Sequence, residues 1–326
     1  MPERTETLDR TEMPGAAAIQ DLRKKHYNAT LVDIRKAHDT LWCFRVKPDF
    51  PIPHFHPGQY TTLGLGLWEP RRKEAMPETG LDGKKVLRLG RRAYSVSHPV
   101  VMDGDGALAP EGLDYLEFYI VMVTGNEGEP APLLTPRLFL LGEGDRLYMG
   151  EKFTGEYTLD PMEDLRRRGD SLAVFAGTGT GEGPHNFMIW ELLRSGFQGR
   201  IASIVCVRYK SDLAYEEIYR KLEKKYPNLS YHALTTREAD TLHHKVYVQD
   251  YIASGKFESD LGRKMDPADT HLFMCGNPAM IGIPKIREGQ KIWPEGKKGV
   301  IQIMEERGFR MDVGKTRGNI HFEKYW

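Results

Sequence analysis

Residues 91–97 combine side chain types that could bind a redox cofactor. They read Arg-Arg-Ala-Tyr-Ser-Val-Ser and form a short extended run. An arginine can neutralise a diphosphate, a tyrosine ring can lie against a flat heterocycle, and a serine hydroxyl can lie near its reactive atom. A flavin dinucleotide uses all three, so Arg92, Tyr94 and Ser95 are candidate flavin contacts. A strand without any ligand is the simpler explanation of so short a pattern, so the interpretation depends on other segments.

A glycine-rich stretch indicates a nucleotide-binding turn further along the chain. Residues 177–184 read Gly-Thr-Gly-Thr-Gly-Glu-Gly-Pro and lie between a predicted strand and a predicted helix. Glycines let the backbone approach a pyrophosphate, and the following helix N-terminus favours negative charge. The spacing departs from G-x-G-x-x-G, but the position at the carboxyl end of a first strand favours a nucleotide. Glu182 would repel a phosphate, so we expect its carboxylate to point away.

Basic residues follow the next two predicted strands. Arg208 comes directly after Val207, Arg237 comes directly after Thr236, and Lys245 follows shortly after. Because ligands of open α/β sheets bind at the carboxyl ends of the strands, these cations should converge on one region. A ribose 2′-phosphate is the matching anion, and no acidic residue stands where a free 2′-hydroxyl is usually bound. The pattern favours NADP over NAD, with salt bridges on a helix face as the alternative.

A fourth predicted strand ends in Cys275-Gly276-Asn277-Pro278. Gly276 and Pro278 should turn the chain sharply and begin a helix, which would leave Cys275 facing a crevice between two domains. There its side chain could pack against a nicotinamide ring and position the carbon that donates hydride. A buried cysteine with a purely structural role is the commoner alternative.

The first half of the chain reads as short strands separated by turns. Six segments have strand patterns, in which apolar and polar residues alternate or strand-forming residues follow turn signals. They are residues 26–36, 41–47 and 57–65, the run around Arg92, and residues 114–123 and 144–149. A short helix should start with Thr135 as its cap and Pro136 at its first position, and its free N–H groups could bind a diphosphate. Six short strands with one small helix predict an antiparallel β-barrel.

The connection 66–90, rich in glycine, proline and charge, is either a solvated loop or a docking surface for an acidic protein.

The second half alternates strands and helices. Strands are predicted over 171–176, 200–207, 229–235 and 271–275, and helices over 184–194, 214–226 and 246–254. This order predicts a parallel sheet with helices on both faces. We therefore expect two domains plus an arm: a flexible N-terminal arm over residues 1–25, a β-barrel over 26–160, and an α/β domain over 170–326.

Composition excludes several classes of function. Lys plus Arg and Asp plus Glu each number 46 among 326 residues, so no overall field favours nucleic acid or a membrane surface. Three cysteines without a CxxC pair argue against a disulfide framework, a zinc site and an iron–sulfur centre. Residues 1–18 are charged, contain proline and lack an apolar core, unlike a signal peptide or a membrane span. We expect a cytoplasmic protein with reduced thiols.

Four motifs, in this order, resemble those of ferredoxin–NADP reductases, particularly the bacterial type with an aromatic C-terminus. They are Arg92-Ala93-Tyr94-Ser95, the turn from Gly179 to Pro184, Cys275-Gly276-Asn277-Pro278 and the terminal Tyr325-Trp326. The similarity covers residues 27–326. It implies a β-barrel that binds FAD and an α/β domain that binds NADP(H). It also implies hydride transfer from NADPH to flavin N5 and single-electron transfer to ferredoxin or flavodoxin, with the reverse direction equally open.

The same resemblance implies roles for individual residues. Tyr94 would stack on the isoalloxazine, Ser95 would lie near N5, and these two with Cys275 form the catalytic set. The other implied FAD contacts are Arg92, Ala93, Tyr119, Ile120, Val121, Leu133, Leu134 and Thr135, with Tyr325 and Trp326 shielding the cofactor. The implied NADP contacts are Thr180, Val207, Arg208, Thr236, Arg237, Lys245, Gly276, Asn277 and Pro278.

Departures from the family pattern leave alternatives open. Thr135 replaces a typical serine, and residues 66–90 and 282–299 are longer than in the bacterial type, which leaves the electron partner in question. The chain could instead be a reductase component that serves an oxygenase or another flavin-linked acceptor. A flavin- or nucleotide-binding sensor without turnover and a plain interaction protein are alternatives of another class.

Overall fold

The computed structural model describes residues 13–97, 101–103, 106–108, 112–165 and 168–324. Up to residue 154 the elements are α1 (Ala16–His26), β1 (Ala29–His38), β2 (Leu41–Pro48), β3 (Tyr60–Gly66), β4 (Leu89–Ser95), β5 (Val101–Asp103), β6 (Gly106–Leu108), β7 (Leu116–Val121), α2 (Thr135–Leu138) and β8 (Arg146–Met149). The remaining elements are β9 (Leu172–Thr178), α3 (Glu182–Arg194), β10 (Arg200–Val207), α4 (Glu216–Lys225), β11 (Leu229–Thr235), α5 (Val248–Ala253), α6 (Lys256–Leu261), β12 (Thr270–Gly276), α7 (Pro278–Ile281), β13 (Lys285–Arg287), β14 (Gln290–Ile292), α8 (Val300–Glu305) and β15 (Ile320–Lys324).

The chain divides into two compact units. The first contains the residues up to Phe55, Tyr60–Val96 and Gly112–Thr154, and the second contains His56–Gln59, Ser97–Glu111 and the chain from Gly155 onward. The division therefore falls after Thr154, before the end of the barrel domain expected at residue 160. The β5–β6 hairpin and residues 56–59 also belong to the second unit, although they lie within the first half of the sequence.

A six-stranded antiparallel sheet forms the first unit. Its strand order is β4-β3-β8-β1-β2-β7, and the two end strands, β4 and β7, also approach each other, which makes the sheet barrel-like. β1 and β2 pair around the turn at residues 38–41, as their alternating pattern predicts. The predicted antiparallel architecture is confirmed. Inward side chains such as Leu31, Phe44, Leu63 and Phe118 form its core.

The N-terminal segment differs from the flexible arm expected over residues 1–25. From Ala16 the chain forms α1, which has three alanines at its start and basic residues in its last turn, where they complement the helix dipole. Glu69, which is buried, accepts hydrogen bonds from Arg23 Nε (2.8 Å), Tyr27 Oη (2.8 Å) and Trp68 Nε1 (3.0 Å). These contacts hold the end of the helix against the sheet.

The connection between β3 and β4 is only partly solvated. Trp68, Ala75 and Val86 are buried in the core of the first unit. Lys84, Lys85 and Arg88 of the same connection are exposed. The solvated-loop alternative is therefore wrong for residues 67–78, whereas residues 84–88 present positive charge at the surface.

The second unit contains a five-stranded parallel sheet with strand order β11-β10-β9-β12-β15. Its central strands read as nearly continuous apolar runs because both sheet faces are covered by helices. One face packs Leu172, Val174 and Leu272 against residues of α5, α6 and α8. On the other face, Phe175 stacks on Phe273 at a centroid distance of 5.1 Å. The predicted α/β parallel sheet is confirmed.

The helix ends show why two expected boundaries shift. α3 begins at Glu182, two residues before the expected start, because Pro184 is tolerated in the first turn, where no N–H is needed. Thr135 was expected to cap α2, but this is wrong: Leu134 is the N-cap and Thr135 is the first helical residue. The Thr135 hydroxyl instead accepts a hydrogen bond from Val123 N (3.1 Å).

Two further features bear on function. Within the described ranges no helix is both long and apolar enough to cross a membrane. Cys43, Cys206 and Cys275 are all buried.

Candidate functional site

β4 carries the arginine, tyrosine and serine on one strand beside β3. The register pairs Arg92 with Leu63, Tyr94 with Thr61 and Ser95 with Tyr60. Because side chains alternate along a strand, Arg92 and Tyr94 share a face. Burial raises the pKa of the Tyr94 phenol above its ordinary range, while the nearby Arg92 charge opposes the shift. Tyr94 is therefore a neutral, partly buried ring beside a guanidinium group.

The two arginines of β4 have different environments. The Arg91 guanidinium lies over the Tyr148 ring, 4.1 Å from its centroid. Arg92 is exposed, and its Nη1 donates to the backbone oxygen of Arg91 at 2.8 Å. Arg92 is therefore accessible to an anion, while the Arg91 guanidinium packs on Tyr148.

The other predicted flavin contacts lie in the same unit and near the same strand. β7 contains Tyr119, Ile120 and Val121, of which the first two are buried. A Cβ added at Gly90, two residues before Arg92, would lie 3.4 Å from Leu133 Cβ. The Thr135 hydroxyl binds the backbone two residues after the end of β7. The structure thus brings the three predicted flavin segments together, and Leu134 is buried.

The glycine-rich turn uses its glycines for two different purposes. Gly181 is needed for close packing, because a Cβ there would lie 2.1 Å from the Cys275 carbonyl oxygen. Gly179 has a φ of +55° and no heavy atom within 4 Å of an added Cβ, so it faces open space. Thr180 lies between them and is buried. The open side at Gly179, just before α3, is where a phosphate could approach the backbone.

Thr178 is a site residue that the sequence reasoning missed. Its Oγ1 accepts a hydrogen bond from Asn277 N at 2.7 Å, which joins the glycine-rich turn to the turn after Cys275. Asn277 Oδ1 in turn accepts from Ala279 N and caps α7, with Pro278 at the helix start. The expected sharp turn and helix are confirmed. For Thr178, the sequence signal was a threonine at the end of a predicted strand. Its hydrogen bond with Asn277, which is 99 positions away, leaves no local sequence pattern.

Arg208 and Arg237 meet at the carboxyl ends of neighbouring strands. Arg237 N donates to Arg208 O at 2.8 Å, and the Thr236 hydroxyl donates to Val207 O at 3.1 Å. Both arginines are exposed. No carboxylate among the residues placed by the structure forms an ion pair with either guanidinium. Lys245 lies exposed in the connection between β11 and α5.

Cys275 lies at the end of β12 and is fully buried. β12 pairs in parallel with β15, and the register places Cys275 beside Glu323. His271 and Phe273 occupy the same face of β12 as Cys275, because they are four and two residues away, respectively. Sequence reasoning missed Glu323, since the register of parallel strands depends on contacts distant in sequence. Tyr325 and Trp326 lie outside the described residues.

Known proteins resemble the chain in both halves. A family model described as the oxidoreductase NAD-binding domain matches residues 175–285. A flavodoxin/ferredoxin–NADP reductase of Buchnera aphidicola is 26% identical over 92% of this chain and 98% of its own length. One from Escherichia coli is 30% identical over 71% of this chain and 77% of its own length. This chain belongs to the flavodoxin/ferredoxin–NADP reductase family.

A solved structure supports the fold of this family member. A ferredoxin–NADP⁺ reductase from Neisseria gonorrhoeae, described with bound FAD and NADP, has a TM-score of 0.64 and 19% identity, covering 91% of this chain and 97% of that one. A phenol hydroxylase P5 protein from Acinetobacter pittii is also similar, at 25% identity over 63% of this chain and 46% of its own length.

Glu182 is a buried carboxylate at the start of α3. The residue is fully buried, and its Oε1 accepts a hydrogen bond from Tyr231 Oη at 3.0 Å. Tyr231 stacks on Tyr219 at 4.6 Å between centroids. Burial, and then the Glu182 charge, raises the pKa of both phenols well above the ordinary range. The carboxylate is directed at Tyr231 of β11, which agrees with the expectation that it points away from the phosphate turn.

Proposed function

We propose that this chain is a flavoenzyme that transfers electrons between NADP(H) and a one-electron carrier protein, ferredoxin or flavodoxin, through FAD. The observation that supports it best is that a member of this reductase family exposes arginines in two separate places, each of which could bind an anion. Arg92 lies on β4 beside the Leu133 segment, and Arg208 adjoins Arg237 at the ends of parallel strands. The first fits a flavin diphosphate and the second fits a ribose 2′-phosphate.

The first unit would hold FAD. Arg92, which is exposed and next to Tyr94, would bind the diphosphate, and the neutral Tyr94 ring would stack on the isoalloxazine with Ser95 near N5. The remaining contacts would come from Ala93, Tyr119, Ile120, Val121, Leu133, Leu134 and Thr135, with Tyr325 and Trp326 covering the cofactor. FAD, when bound, supplies the conversion between hydride transfer with NADP(H) and single-electron transfer with a carrier.

The second unit would hold NADP(H). The open side of Gly179 and the start of α3 fit a diphosphate, and Arg208 with Arg237 would bind the 2′-phosphate. Cys275, fully buried at the end of β12, would exclude water from the nicotinamide side, with Glu323 beside it on β15. The supporting contacts would come from Thr180, Val207, Thr236, Lys245, Gly276, Asn277 and Pro278.

A basic surface on the first unit fits an acidic carrier. Lys84, Lys85 and Arg88 are exposed, and Leu87 between them is 44% exposed. Because the chain as a whole has no net charge, such a local patch would dominate the attraction of a negatively charged partner. We assign residues 84–88 as the carrier-docking segment.

Charge reversal in this segment tests the proposed function. In Lys84→Glu/Arg88→Glu we expect kcat/KM for NADPH-dependent reduction of purified ferredoxin or flavodoxin to fall at least about tenfold at low ionic strength, and the difference to shrink with added salt. Reduction of ferricyanide, a small acceptor, should stay within about twofold. Lys264→Glu, an exposed lysine of the second unit, is the matched control. Wild-type protein that reduces neither carrier contradicts the proposal.

A reductase component of an oxygenase is the second candidate. It is supported by the likeness to the phenol hydroxylase P5 protein. That alternative predicts rapid ferricyanide reduction by NADPH together with no reduction of ferredoxin or flavodoxin, so the same assay separates the two.

A further inference from the structure

The connection between β3 and β4 is fastened to the segment that contains the start of α2. Arg72 N donates to Pro136 O at 2.9 Å, and Met76 N donates to Thr124 O at 2.7 Å. The side chain of Arg71 adds a hydrogen bond from Nη2 to Pro132 O at 3.1 Å. Residues 67–78 therefore follow residues 124–137 closely, although the two segments are about 60 positions apart in sequence.

Arg137 of α2 is the centre of this attachment. Its side chain is 2% exposed, and Glu78, its carboxylate partner, is 6% exposed. Nη1 and Nη2 each donate to one Glu78 oxygen at 2.7 Å. The other donors reach backbone oxygens: Nη1 to Leu133 (2.7 Å), Nη2 to Leu67 (2.9 Å) and Nε to Glu69 (3.2 Å). All five N–H groups of the guanidinium are thus used.

Glu78 is the only carboxylate paired with Arg137 among the residues that the structure describes, and its Oε2 also lies 3.4 Å from Arg71 Nη1, so one negative charge serves two arginines. The three backbone oxygens satisfy donors but carry no full charge, so a neutral side chain at Glu78 would leave a buried cation. A guanidinium in that position would move toward water. Its movement would release the Leu133 carbonyl, because the same Nη1 atom holds both groups.

The inference about Glu78 and Arg137 rests on the proposed function, in which Leu133 and Thr135 contact FAD. Leu133 adjoins Gly90 at the start of β4, and Thr135 adjoins Val123 just after β7. We propose that Glu78 and Arg137 are positioning residues for FAD: their buried ion pair holds residues 133–135 in the conformation that binds the cofactor. The connection 66–90 thus serves the flavin site through Glu78 in addition to presenting residues 84–88.

The test measures FAD affinity together with stability. Flavin-free wild type and Glu78→Gln are titrated with FAD and with riboflavin, which lacks the diphosphate, and binding is followed by flavin fluorescence. Glu78→Gln should raise the FAD Kd at least about tenfold and change the riboflavin Kd by less than about threefold. Glu78→Asp keeps the charge and should recover part of the loss. It also replaces Glu78→Gln in the comparison if the glutamine variant does not fold.

Glu69→Gln is the matched control, because Glu69 is a second buried carboxylate of the same connection and pairs with Arg23 on α1. We expect a lower melting temperature in both variants, but an FAD Kd within about twofold of wild type in Glu69→Gln. An unchanged FAD Kd in Glu78→Gln, or an equal increase in Glu69→Gln, overturns the positioning role. Wild-type protein that binds no FAD contradicts the proposed function itself and is distinguishable from either result.

Discussion

At the scale of single residues, the arginines of this chain differ in how fully their guanidinium groups are used. Arg137 is buried and saturated by Glu78 and backbone oxygens, so it contributes to structure. Arg92, Arg208 and Arg237 are exposed. An exposed guanidinium without a carboxylate partner can form charge-assisted, bidentate hydrogen bonds with phosphate. The environment of each arginine therefore separates candidate ligand contacts from structural ones, which the sequence alone does not.

Neutralising the arginine pair should remove the preference for NADPH. In Arg208→Gln/Arg237→Gln we expect the Kd for NADP⁺ to rise at least about tenfold, since each charged hydrogen bond contributes about 1.5–3 kcal/mol. Binding of NAD⁺, which lacks the 2′-phosphate, should change less than about threefold. Difference absorption spectroscopy measures both constants.

Arg194→Gln provides the control for the arginine pair. Arg194 lies at the end of α3 in the same unit and forms an ion pair with Glu191. Its substitution should leave both Kd values unchanged. A double variant of Arg208 and Arg237 that still prefers NADP⁺ as strongly as wild type would show that the 2′-phosphate binds elsewhere.

At the scale of elements, two neighbouring strands are joined by a buried chain of histidines. His271 Nδ1 of β12 lies 2.7 Å from His321 Nε2 of β15, and His321 Nδ1 lies 2.9 Å from Asp312 Oδ2. When the Nδ1–H of His321 donates to the carboxylate and its Nε2 carries no proton, Nε2 accepts from His271 Nδ1. Asp312 also pairs with Arg317. This chain fixes β15, the edge strand that carries Glu323, against the sheet.

Stability should fall in acid as His271 and His185 take up protons. Burial lowers the pKa of His271 to about 4 and that of His185 to about 3, from an ordinary value of 6.5. Their neutral forms stabilise the fold fully above pH 6.5, and the contribution is lost as pH falls through the lowered values. For His271 the loss is on the order of 3 kcal/mol. Urea unfolding at a series of pH values between 7 and 4 measures how the free energy of unfolding depends on pH.

His271→Gln tests the assignment of that pH dependence. A glutamine amide can still donate to His321 but does not titrate, so we expect a smaller decrease in the free energy of unfolding between pH 6.5 and pH 4 than in wild type. An identical pH dependence in the variant would mean that His271 does not carry this loss. Because His185 remains in both proteins, its effect cancels in the comparison.

Hydrophobic periodicity predicted most elements, and its failures have physical causes. Most strands of the two sheets alternate or form apolar runs, so their succession along the chain could be predicted from local sequence, whereas β15 was not predicted. Residues 67–78 contain single apolar anchors such as Trp68, without periodicity, among glycine, proline and charge. The end of helix α1 is held by the ion pair between Arg23 and Glu69, which are 46 positions apart in sequence. Thr178 and Glu323 depend on partners brought close by strand pairing, which no local pattern records.

At the scale of the whole molecule, each of two units would bind a different cofactor. Each unit has its own sheet and its own core. Equal numbers of acidic and basic residues remove any overall field, so recognition of NADP(H), FAD and a carrier depends on local groups. The activity therefore requires both sites in one chain, and a loss at either site should stop electron transfer.

The most direct test of this account is an anaerobic titration of the purified protein, reconstituted with FAD if necessary, followed by visible absorption. We predict the spectrum of an oxidised flavin, bleached by about one equivalent of NADPH and only by much higher concentrations of NADH, because Arg208 and Arg237 would recognise the 2′-phosphate. A colourless protein that takes up no FAD, or a bound flavin that NADPH does not bleach, would contradict the central claim.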